Sequence, residues 1–390
     1  MKLLLLLFGL SWSITDSAVL IVYILLLIFL SVKIGLKNFR NKDSINLFIL
    51  LLALWRVITC WIKGVVSINI LSKNVKFLFD VSPIFVFRYA KVEHQFGYLF
   101  YSFILSLSLI TALSILEFLG VVDLGFFQGG YLQAFHRNHI KSGFIWSLAS
   151  LLSLVFTIKM NKKFIIFVPL LVTGLLFTQS RSYYLGFLGT AFIILILVGF
   201  KRSFKYSMFA ISSIIFTFGL IYLIPEVRSR FLSIFTNIQA EWSIKCRLIF
   251  LEEGLKIVEK HPVFGIGFGQ WPSYFSQINQ IYKYPCPNYH VHNIFIHELV
   301  ETGLIGLILL ILILVIIVYK LLNAYFQLDI KNKFGEALIL SGIAAIFNLI
   351  IGGLFEPDLV KSVVLIPTFT VLGFALAEAD KLTRVATYRS

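Results

Sequence analysis

The chain alternates long apolar runs with short polar segments from one end to the other. A helix that crosses a membrane needs about 20 mostly apolar residues. Most of the runs approach that length, although the first and the fourth are shorter. The apolar runs lie near residues 3–14, 17–32, 44–62, 77–88, 97–119, 142–158, 164–179, 183–200, 206–224, 293–319, 336–354 and 360–378. The pattern predicts an all-α polytopic integral membrane protein with about twelve transmembrane helices.

Composition supports a membrane protein, and the distribution of charge predicts its orientation. Apolar residues make up 59% of the 390 residues and charged residues 14%, against about 25% charged in soluble domains. The net charge of +15 is concentrated between the apolar runs, so we attribute it to topology and anionic lipids, not to nucleic acid. The basic segments lie near 33–42, 159–163, 201–205, 320–333 and 381–389. Because short basic loops face the cytoplasm, both termini are predicted to be cytoplasmic.

This topology brings four polar segments together on the opposite, outward face. They are the 120–141 loop, the turn with Arg181, the 225–291 segment, and the turn with Glu356 and Asp358. The 225–291 segment is the only long stretch outside the predicted membrane spans. It divides the chain into an N-terminal bundle of about nine spans (1–224), an outer loop domain (225–291), and a C-terminal bundle of about three spans with a cytoplasmic tail (292–390).

The outer segment contains a predicted amphipathic helix and two of the three cysteines. The apolar face of this helix consists of Ile244, Leu248, Leu251, Leu255 and Val258. Pro262 and the glycines at 265, 267 and 269 are predicted to end the helix in a turn. Cys246 and Cys286 both face outward in the predicted topology, where a disulfide is permitted.

Three histidines lie where a polar loop meets an apolar run, in "YHVHNIFIHELVETGLIGL". His290, His292 and His297 could together offer ligands to zinc, but neither a cysteine pair nor an H-E-x-x-H motif accompanies them. The alternative is acid–base chemistry, because a neutral imidazole can accept a proton from a hydroxyl group. His297 and Glu301 are four residues apart, so they are predicted to pair on one helical face.

Arginines also occur in the segments of the outward face. Arg181 lies in "FTQSRSYYLGF", Arg247 in the outer helix and Arg137 in "AFHRNH". A guanidinium group binds phosphate oxygens in a bidentate manner, whereas an isolated arginine at a membrane surface serves as an anchor. Three arginines beside the histidines favour an anionic ligand such as a lipid pyrophosphate. Arg56 lies within a span, where it is expected to pair with Asp80 or another acid.

Several motifs of nucleotide-dependent enzymes and of serine hydrolases do not occur in the sequence. It has no Walker-type G-x-x-x-x-G-K-[ST], no D-x-D pair and no G-x-S-x-G. The apolar runs contain few acidic residues, which argues against a proton-coupled transporter built on intramembrane carboxylates.

Three segments resemble the O-antigen ligase and polymerase superfamily of bacterial inner-membrane proteins. They are "LLFTQSRSYYLG", "CRLIFLEEGLKIVEKHPVFGIGFGQW" and "HVHNIFIHELVETGLIGL". Their order, spacing and predicted sidedness agree with that family across about 170–310. The N-terminal half resembles it only in the layout of the spans and in the outer loop "FHRNHIKSG".

The resemblance implies a GT-C-like glycosyltransferase of the bacterial inner membrane whose active site faces the periplasm. Such a ligase transfers an O-antigen-type glycan from undecaprenyl pyrophosphate to a sugar hydroxyl of lipid A–core, with inversion and without ATP, metal or another cofactor. It implies His292 as the catalytic base and Arg181 and Arg247 as ligands of the donor pyrophosphate. The accessory residues that it suggests are His290, Arg137 and Glu356.

Three other functions remain open. A polymerase of the same superfamily would join polyprenyl-linked repeats, and a third relative glycosylates proteins. Many polymerases carry paired R-x10-G segments, but neither Arg137 nor Arg247 is followed by glycine eleven residues later, which favours the ligase. A polysaccharide transporter or flippase would place charge along a central path through the bundle, not at one membrane face.

Overall fold

The computed structural model describes residues 1–34, 43–90, 92–201, 242–284, 286 and 290–387, with isolated residues between 208 and 229. Helices dominate this part of the chain. In order they are α1 (Lys2–Trp12), α2 (Asp16–Ile34), α3 (Ser44–Ile62), α4 (Ile68–Val81), α5 (Pro83–Tyr89), α6 (Phe96–Phe118), α7 (His139–Lys159), α8 (Phe167–Thr178), α9 (Arg181–Lys201), α10 (Trp242–Lys260), α11 (Trp271–Tyr282), α12 (Ile294–Gln327), α13 (Lys333–Gly353) and α14 (Ser362–Thr387).

Seven helices in the described part of the chain are long and apolar enough to cross a membrane. They are α3, α6, α7, α9, α12, α13 and α14, and shorter apolar helices cover Lys2–Trp12 and Ser17–Leu30. The predicted all-α membrane protein is confirmed, but the count of twelve spans is not. The predicted span at 206–224 lies outside the described residues. The predicted span at 77–88 is divided between α4 and α5, because α5 begins at Pro83, whose ring favours the first position of a new helix.

The interior of the bundle is formed by α7, α13 and α14. The apolar window of α14 is buried along its whole length, and those of α7 and α13 over most of theirs. α13 packs against α7, α9, α12 and α14. Buried hydroxyl groups bond to their own helix, as where Ser341 donates to the carbonyl of Ala337 and Thr368 to that of Val364. These bonds keep polar side chains satisfied away from water.

One end of the bundle, which we call the basic end, collects buried ion pairs between distant segments. Lys159 of α7 and Lys201 of α9 lie 3.2 and 3.1 Å from the carboxylate of Glu336. Lys320 of α12 lies 2.7 Å from Asp43, which also contacts Arg88. Lys159, Lys201 and Lys320, which belong to three of the predicted basic segments, therefore lie at one end. The first turns of α7, α9 and α12 lie at the opposite end, which we call the site end.

The buried face of α10 differs from the predicted one. Cys246, Phe250, Gly254 and Ile257 face inward, where a small hydrophobic cluster joins α10 to α11 and α12. The predicted apolar face is instead turned outward, with exposed fractions of 50% at Leu248, 37% at Leu251 and 49% at Leu255. The prediction was wrong because the packing of large aromatic rings and a disulfide in the cluster outweighs the burial of leucines, which lipid tolerates at a protein surface.

The turn after α10 docks on a break in α12. At Gly303 the backbone takes φ 71° and the helix kinks, a conformation that favours glycine. The amide of Leu304 then donates to the carbonyl of Pro262, and the amides of Ile266 and Gly267 donate to the carbonyls of Val300 and Glu301. The break therefore frees carbonyl groups that hold the glycine-rich turn against the bundle.

The 120–141 loop contains a short antiparallel hairpin that the sequence pattern did not predict. β1 (Phe127–Gln128) pairs with β2 (Tyr131–Leu132). Gly129 and Gly130 connect them with φ of 59° and 80°, as a two-residue turn with positive φ at both positions requires.

Candidate active site

A cavity of about 900 Å³ opens at the site end, between the first turns of α7 and α9, the inner face of α10 and the turn that follows α13. Five of the six predicted site residues line it, although they come from four distant parts of the sequence. They are Arg181, Arg247, His290, His292 and Glu356. A ligand pocket of this size accommodates a molecule as large as a drug or a disaccharide unit.

The N-cap of α12 fixes the position of His292. Asn293 accepts hydrogen bonds from the amides of Phe295 and Ile296 at 2.9 and 3.0 Å, which is the usual role of asparagine at a helix start. Its side-chain amide also donates to the carbonyl of Leu354 at 3.1 Å. Because Leu354 lies two residues before Glu356, this bond holds the histidine segment beside the carboxylate.

Glu356 connects the cationic side chains of the cavity, although it is almost fully buried. Its Oε1 accepts from Nη2 of Arg247 at 2.6 Å and from the hydroxyl of Ser182 at 3.0 Å. Its Oε2 accepts from Nζ of Lys361 at 3.3 Å and lies 3.6 Å from Nδ1 of His292. One carboxylate therefore orders an arginine, a lysine and a histidine.

The charges of this turn are set by their neighbours. Burial opposes ionisation of Glu356, but Lys361, His292 and Arg247 outweigh it and hold its pKa well below the usual range. Burial raises the pKa of Asp358, which accepts hydrogen bonds from Tyr183 and Lys361. Burial would lower the pKa of Lys361, but the two carboxylates raise it. At neutral pH the turn therefore holds an ionised Glu356 and a charged lysine.

His292 is a partly exposed imidazole between an aromatic ring and a carboxylate. Its ring stacks on Phe250 of α10, with centroids 5.8 Å apart and 11° between the planes. Its Nδ1 faces Glu356, and its side chain is 19% exposed. If the Nδ1 proton points to Glu356, then Nε2 is the nitrogen that can accept a proton.

His290 lies behind His292 and is uncharged at neutral pH. Burial, followed by the nearby charges of His297, His292 and Lys361, lowers its pKa to about 3. Its ring meets that of His297 edge to face, with centroids 5.4 Å apart. It can therefore shape the wall of the cavity but adds no positive charge.

Cationic groups dominate the charged lining of the cavity. Lys141, Arg181, Arg247 and Lys361 contribute four cationic side chains, against the single carboxylate of Glu356. Arg181 is the first residue of α9 and donates to the hydroxyl of Ser243 at 3.0 Å. The first turns of α7 and α9 also face the cavity, and helix N-termini favour anions. The arrangement suits an anionic ligand with several acceptor oxygens.

A disulfide joins two walls of the cavity. Cys246 of α10 and Cys286 are bonded, with their Cα atoms 5.6 Å apart, and both line the cavity. The disulfide that the sequence permitted is confirmed. It ties the helix that carries Arg247 to the segment that leads to the histidines.

Part of the chain is similar to a known protein family. Residues 165–311 match the family model described as O-antigen ligase. The resemblance to the O-antigen ligase family is confirmed. The matched region contains Arg181, Arg247, His290 and His292, whereas Glu356 and Arg137 lie outside it. The match supports a glycosyltransferase-like function of the O-antigen ligase or polymerase type.

A curated relative is the exopolysaccharide production protein ExoQ of Rhizobium meliloti (strain 1021). It is 29% identical to this chain over 105 residues. The matched part covers 26% of this chain and 23% of the length of that relative.

Arg137 does not join the other predicted residues of this cavity. It lines a separate cavity of about 550 Å³ with Phe126 and His136. Its backbone is left-handed, with φ 51°, and the next residue, Asn138, caps α7.

His297, Glu301 and Arg56 have structural partners below the cavity. His297 Nε2 lies 3.6 Å from Glu301 as expected, and both side chains are buried. Glu301 also accepts from the amides of Gly269 and Trp271. Arg56 forms a buried ion pair with Glu298, and the alternative partner Asp80 instead pairs with Lys76.

The sequence did not point to Lys361, Ser182 and Phe250, which also line the cavity. The signal for Lys361 was its position three residues after Asp358, which allows an ion pair within one turn. Nothing local in the sequence marks Phe250 as the partner of an imidazole. Among the described residues, no group of three or more His, Cys, Asp or Glu side chains is arranged to hold a metal ion.

Proposed function

We propose that this protein transfers an O-antigen-type glycan from undecaprenyl pyrophosphate to a sugar hydroxyl of lipid A–core. The observation that carries the proposal is the cavity that holds His292, Arg181 and Arg247 together at one end of the membrane bundle. The site would lie at the periplasmic surface of the bacterial inner membrane, since the basic end is expected to face the cytoplasm.

His292 is the base of the proposed reaction. With its Nδ1 proton directed to Glu356, its Nε2 takes the proton of the attacking hydroxyl group. The hydroxyl oxygen forms a bond to the anomeric carbon as the bond from that carbon to the pyrophosphate oxygen breaks. A single displacement of this kind inverts the anomeric configuration. Glu356 stabilises the imidazolium that results, and the bond electrons leave with undecaprenyl pyrophosphate.

Arg181 and Arg247 bind the pyrophosphate and stabilise the charge that develops on it. Preorganised cations at a leaving group lower the activation free energy by several kcal/mol in a site shielded from water. The ester bond between the anomeric carbon and the pyrophosphate of the donor is already activated, so the chain's own residues need only orient the two sugars, hold the charge and move one proton.

A polymerase is the second candidate. The relative with partial similarity is named for exopolysaccharide production, which favours an activity that joins polyprenyl-linked repeats. The donor and the proposed roles of His292 and the two arginines would be the same, and the acceptor would be the terminal sugar of a second lipid-linked glycan. The flippase alternative has less support, because the buried ion pairs in the described part of the chain gather at the two ends of the bundle.

The test is a reconstituted assay with purified protein in liposomes. Undecaprenyl pyrophosphate-linked repeats are supplied with and without lipid A–core, and the products are separated by size. Modified core indicates a ligase and elongated polyprenyl chains indicate a polymerase. His292→Ala and Arg247→Ala are each expected to abolish transfer while the protein remains folded in the membrane.

Two substitutions serve as matched controls. His94→Ala removes an exposed histidine near the basic end, and Lys245→Ala removes an exposed cation of α10 two residues before Arg247. Both variants should transfer glycan at the wild-type rate. Full activity of His292→Ala, or no transfer by the wild-type protein to either acceptor, contradicts the proposal.

A further inference from the structure

The candidate base lies against an aromatic ring that the proposed mechanism does not use. Phe250 of α10 is nearly parallel to the imidazole of His292, with 5.8 Å between the ring centroids and 11° between the planes. Parallel, offset rings about 4.5–7 Å apart are in stacking contact. Phe250 is 1% exposed, whereas the side chain of His292 is 19% exposed. The imidazole is therefore partly covered by a buried phenyl ring and partly open to the cavity, which both residues line.

Close approach of α10 to α12 brings Phe250 to this position. Gly254 lies one helical turn after Phe250. A Cβ atom added at Gly254 would lie 3.1 Å from Cγ2 of Val300 and 3.8 Å from Cγ2 of Val291. Val291 directly precedes His292 in the sequence. Because position 254 has no side chain, α10 can lie against the segment that carries the base.

Other contacts fix the orientation of the phenyl ring. Phe275 meets Phe250 edge to face with 4.9 Å between centroids, and Trp271 meets it with 6.0 Å. Both of these rings belong to α11 and are fully buried. The disulfide at Cys246 holds α10 one helical turn before Phe250. A ring packed in this way has little freedom to rotate, so Phe250 presents a fixed surface to His292.

The contact between the two rings becomes stronger when His292 is protonated. The face of a phenyl ring attracts a cation within about 6 Å of its centroid, whereas a neutral imidazole gains only the stacking contact. The carboxylate of Glu356, 3.6 Å from Nδ1, favours the same charged form. Arg247 and Lys361 oppose a third positive charge, but each is paired with Glu356. An aromatic ring and a carboxylate are thus both arranged to stabilise an imidazolium at this place.

We propose that Phe250 is a positioning residue that stabilises the imidazolium form of His292 as this histidine takes up the proton of the attacking hydroxyl group. The inference rests on the proposed function. In that reaction the hydroxyl oxygen bonds to the anomeric carbon, the bond from that carbon to the pyrophosphate oxygen breaks, and the hydroxyl proton moves to Nε2. Positive charge develops on the imidazole during this step. The contact with Phe250 is therefore stronger in the transition state than in the ground state, as catalysis requires.

The alternative is that Phe250 only fills the hydrophobic cluster between α10, α11 and α12. Fluorine atoms on the phenyl ring separate the two roles. They withdraw electron density from the face of the ring and weaken its attraction for a cation, while the shape and hydrophobicity of the ring are almost retained. Packing therefore stays nearly constant as fluorine atoms are added, and the attraction for an imidazolium falls with each one.

The test replaces Phe250 by phenylalanines that carry one, two or three ring fluorine atoms, in the full-length protein reconstituted in liposomes. The rate of a single turnover is measured with the protein in excess over undecaprenyl pyrophosphate-linked repeats, so that it reports the chemical step. We expect this rate to fall with each added fluorine, by about threefold to tenfold over the series. The steady-state KM for the donor should stay within about twofold of wild type. Phe250→Leu, which removes the ring, should lower the rate at least as far as three fluorine atoms do.

Phe275 provides the matched control, because it is buried in the same hydrophobic cluster. In the described part of the chain its ring contacts are with Phe250, Trp271 and Tyr284. Three fluorine atoms on the ring at position 275 should leave the single-turnover rate at the wild-type value.

Two results would overturn the inference while the proposed function stood. One is an unchanged rate along the series at position 250 in a protein whose His292→Ala variant is inactive. The other is an equal fall in rate with fluorine at positions 250 and 275, which would show that fluorine acts through packing. A wild-type protein that transfers glycan to neither acceptor would instead overturn the proposed function.

Discussion

Arg247 and His292 contact the two different oxygens of one buried carboxylate, that of Glu356. Nη2 of Arg247 lies 2.6 Å from Oε1, and Nδ1 of His292 lies 3.6 Å from Oε2. The proposed ligand of the leaving group and the proposed base are therefore ordered by the same side chain. Because Glu356 holds both without contacting the reacting atoms itself, it is a positioning residue.

Glu356→Gln is the first prediction. The amide has one acceptor oxygen where the carboxylate has two, and it no longer stabilises a protonated imidazole. We expect kcat to fall by about 100-fold, the lower end of the range for loss of general-base catalysis, with a smaller change in the KM for the donor. The measurement is steady-state transfer in liposomes. Glu252→Gln, at an exposed position of α10, is the control and should behave as wild type; equal kcat for the two variants would show that Glu356 does not act through His292.

Lys361 gives the second prediction, which concerns stability as well as activity. The ammonium lies 3.3 Å from Glu356 and 3.2 Å from the carboxylate of Asp358, and all three groups are well buried. Loss of one member of a buried charge cluster costs about 3–5 kcal/mol. We expect Lys361→Met to lower Tm in detergent, and kcat with it, because Glu356 loses one of its fixed partners.

A second substitution separates charge from packing in this cluster. Asp358→Asn removes a carboxylate and keeps an oxygen for the hydroxyl of Tyr183, which donates to Asp358 at 2.7 Å. The combined Lys361→Met, Asp358→Asn variant should regain much of the lost Tm. If the fall in Tm of the double variant equals the sum of the falls in the two single variants, the charges are not coupled as the structure indicates.

The sequence predicts the site better than it predicts the contacts beneath it. Hydropathy and basic loops indicate which segments meet at one end, so the sequence alone places Arg181, Arg247 and His292 on the same face. The partner of Arg56 could not be identified, because Glu298 is 242 residues away in the sequence and several acids were available. The inner face of α10 was also predicted incorrectly. In a membrane protein leucine is no guide to the interior, since lipid and protein core are both apolar.

The disulfide provides the third prediction. Cys246 and Cys286 close a loop of 40 residues, for which chain entropy gives about 4 kcal/mol of stabilisation. The bond also holds the Arg247 helix against the histidine segment. We expect dithiothreitol to lower both the transfer rate and Tm, as followed by activity and by thermal unfolding of the same sample.

The double variant Cys246→Ser, Cys286→Ser is the control for side effects of the reductant. Without dithiothreitol, this variant should have the same lowered activity as the wild-type protein after treatment with dithiothreitol. Addition of dithiothreitol should lower its activity no further, although Cys60 remains as a buried free thiol. Unchanged activity of the wild-type protein after mass spectrometry has shown complete reduction would mean that the bond does not position the site.

The partly buried imidazole of His290 gives the fourth prediction, a dependence of stability on pH. In the unfolded chain a histidine takes up a proton as the pH falls through about 6.5, whereas burial keeps folded His290 neutral, with a pKa of about 3. Between these values the unfolded state binds more protons, so the folded state loses stability as the pH falls from about 6.5 toward 3.

His290→Gln removes this contribution, and the fall of Tm between about pH 7 and pH 4 should become shallower than in the wild-type protein. His94→Gln, which removes an exposed imidazole, should leave the slope as it is in the wild type. Parallel curves for the wild-type protein and His290→Gln would show that His290 is protonated in the folded protein, and therefore that this part of the cavity lining is charged at acidic pH.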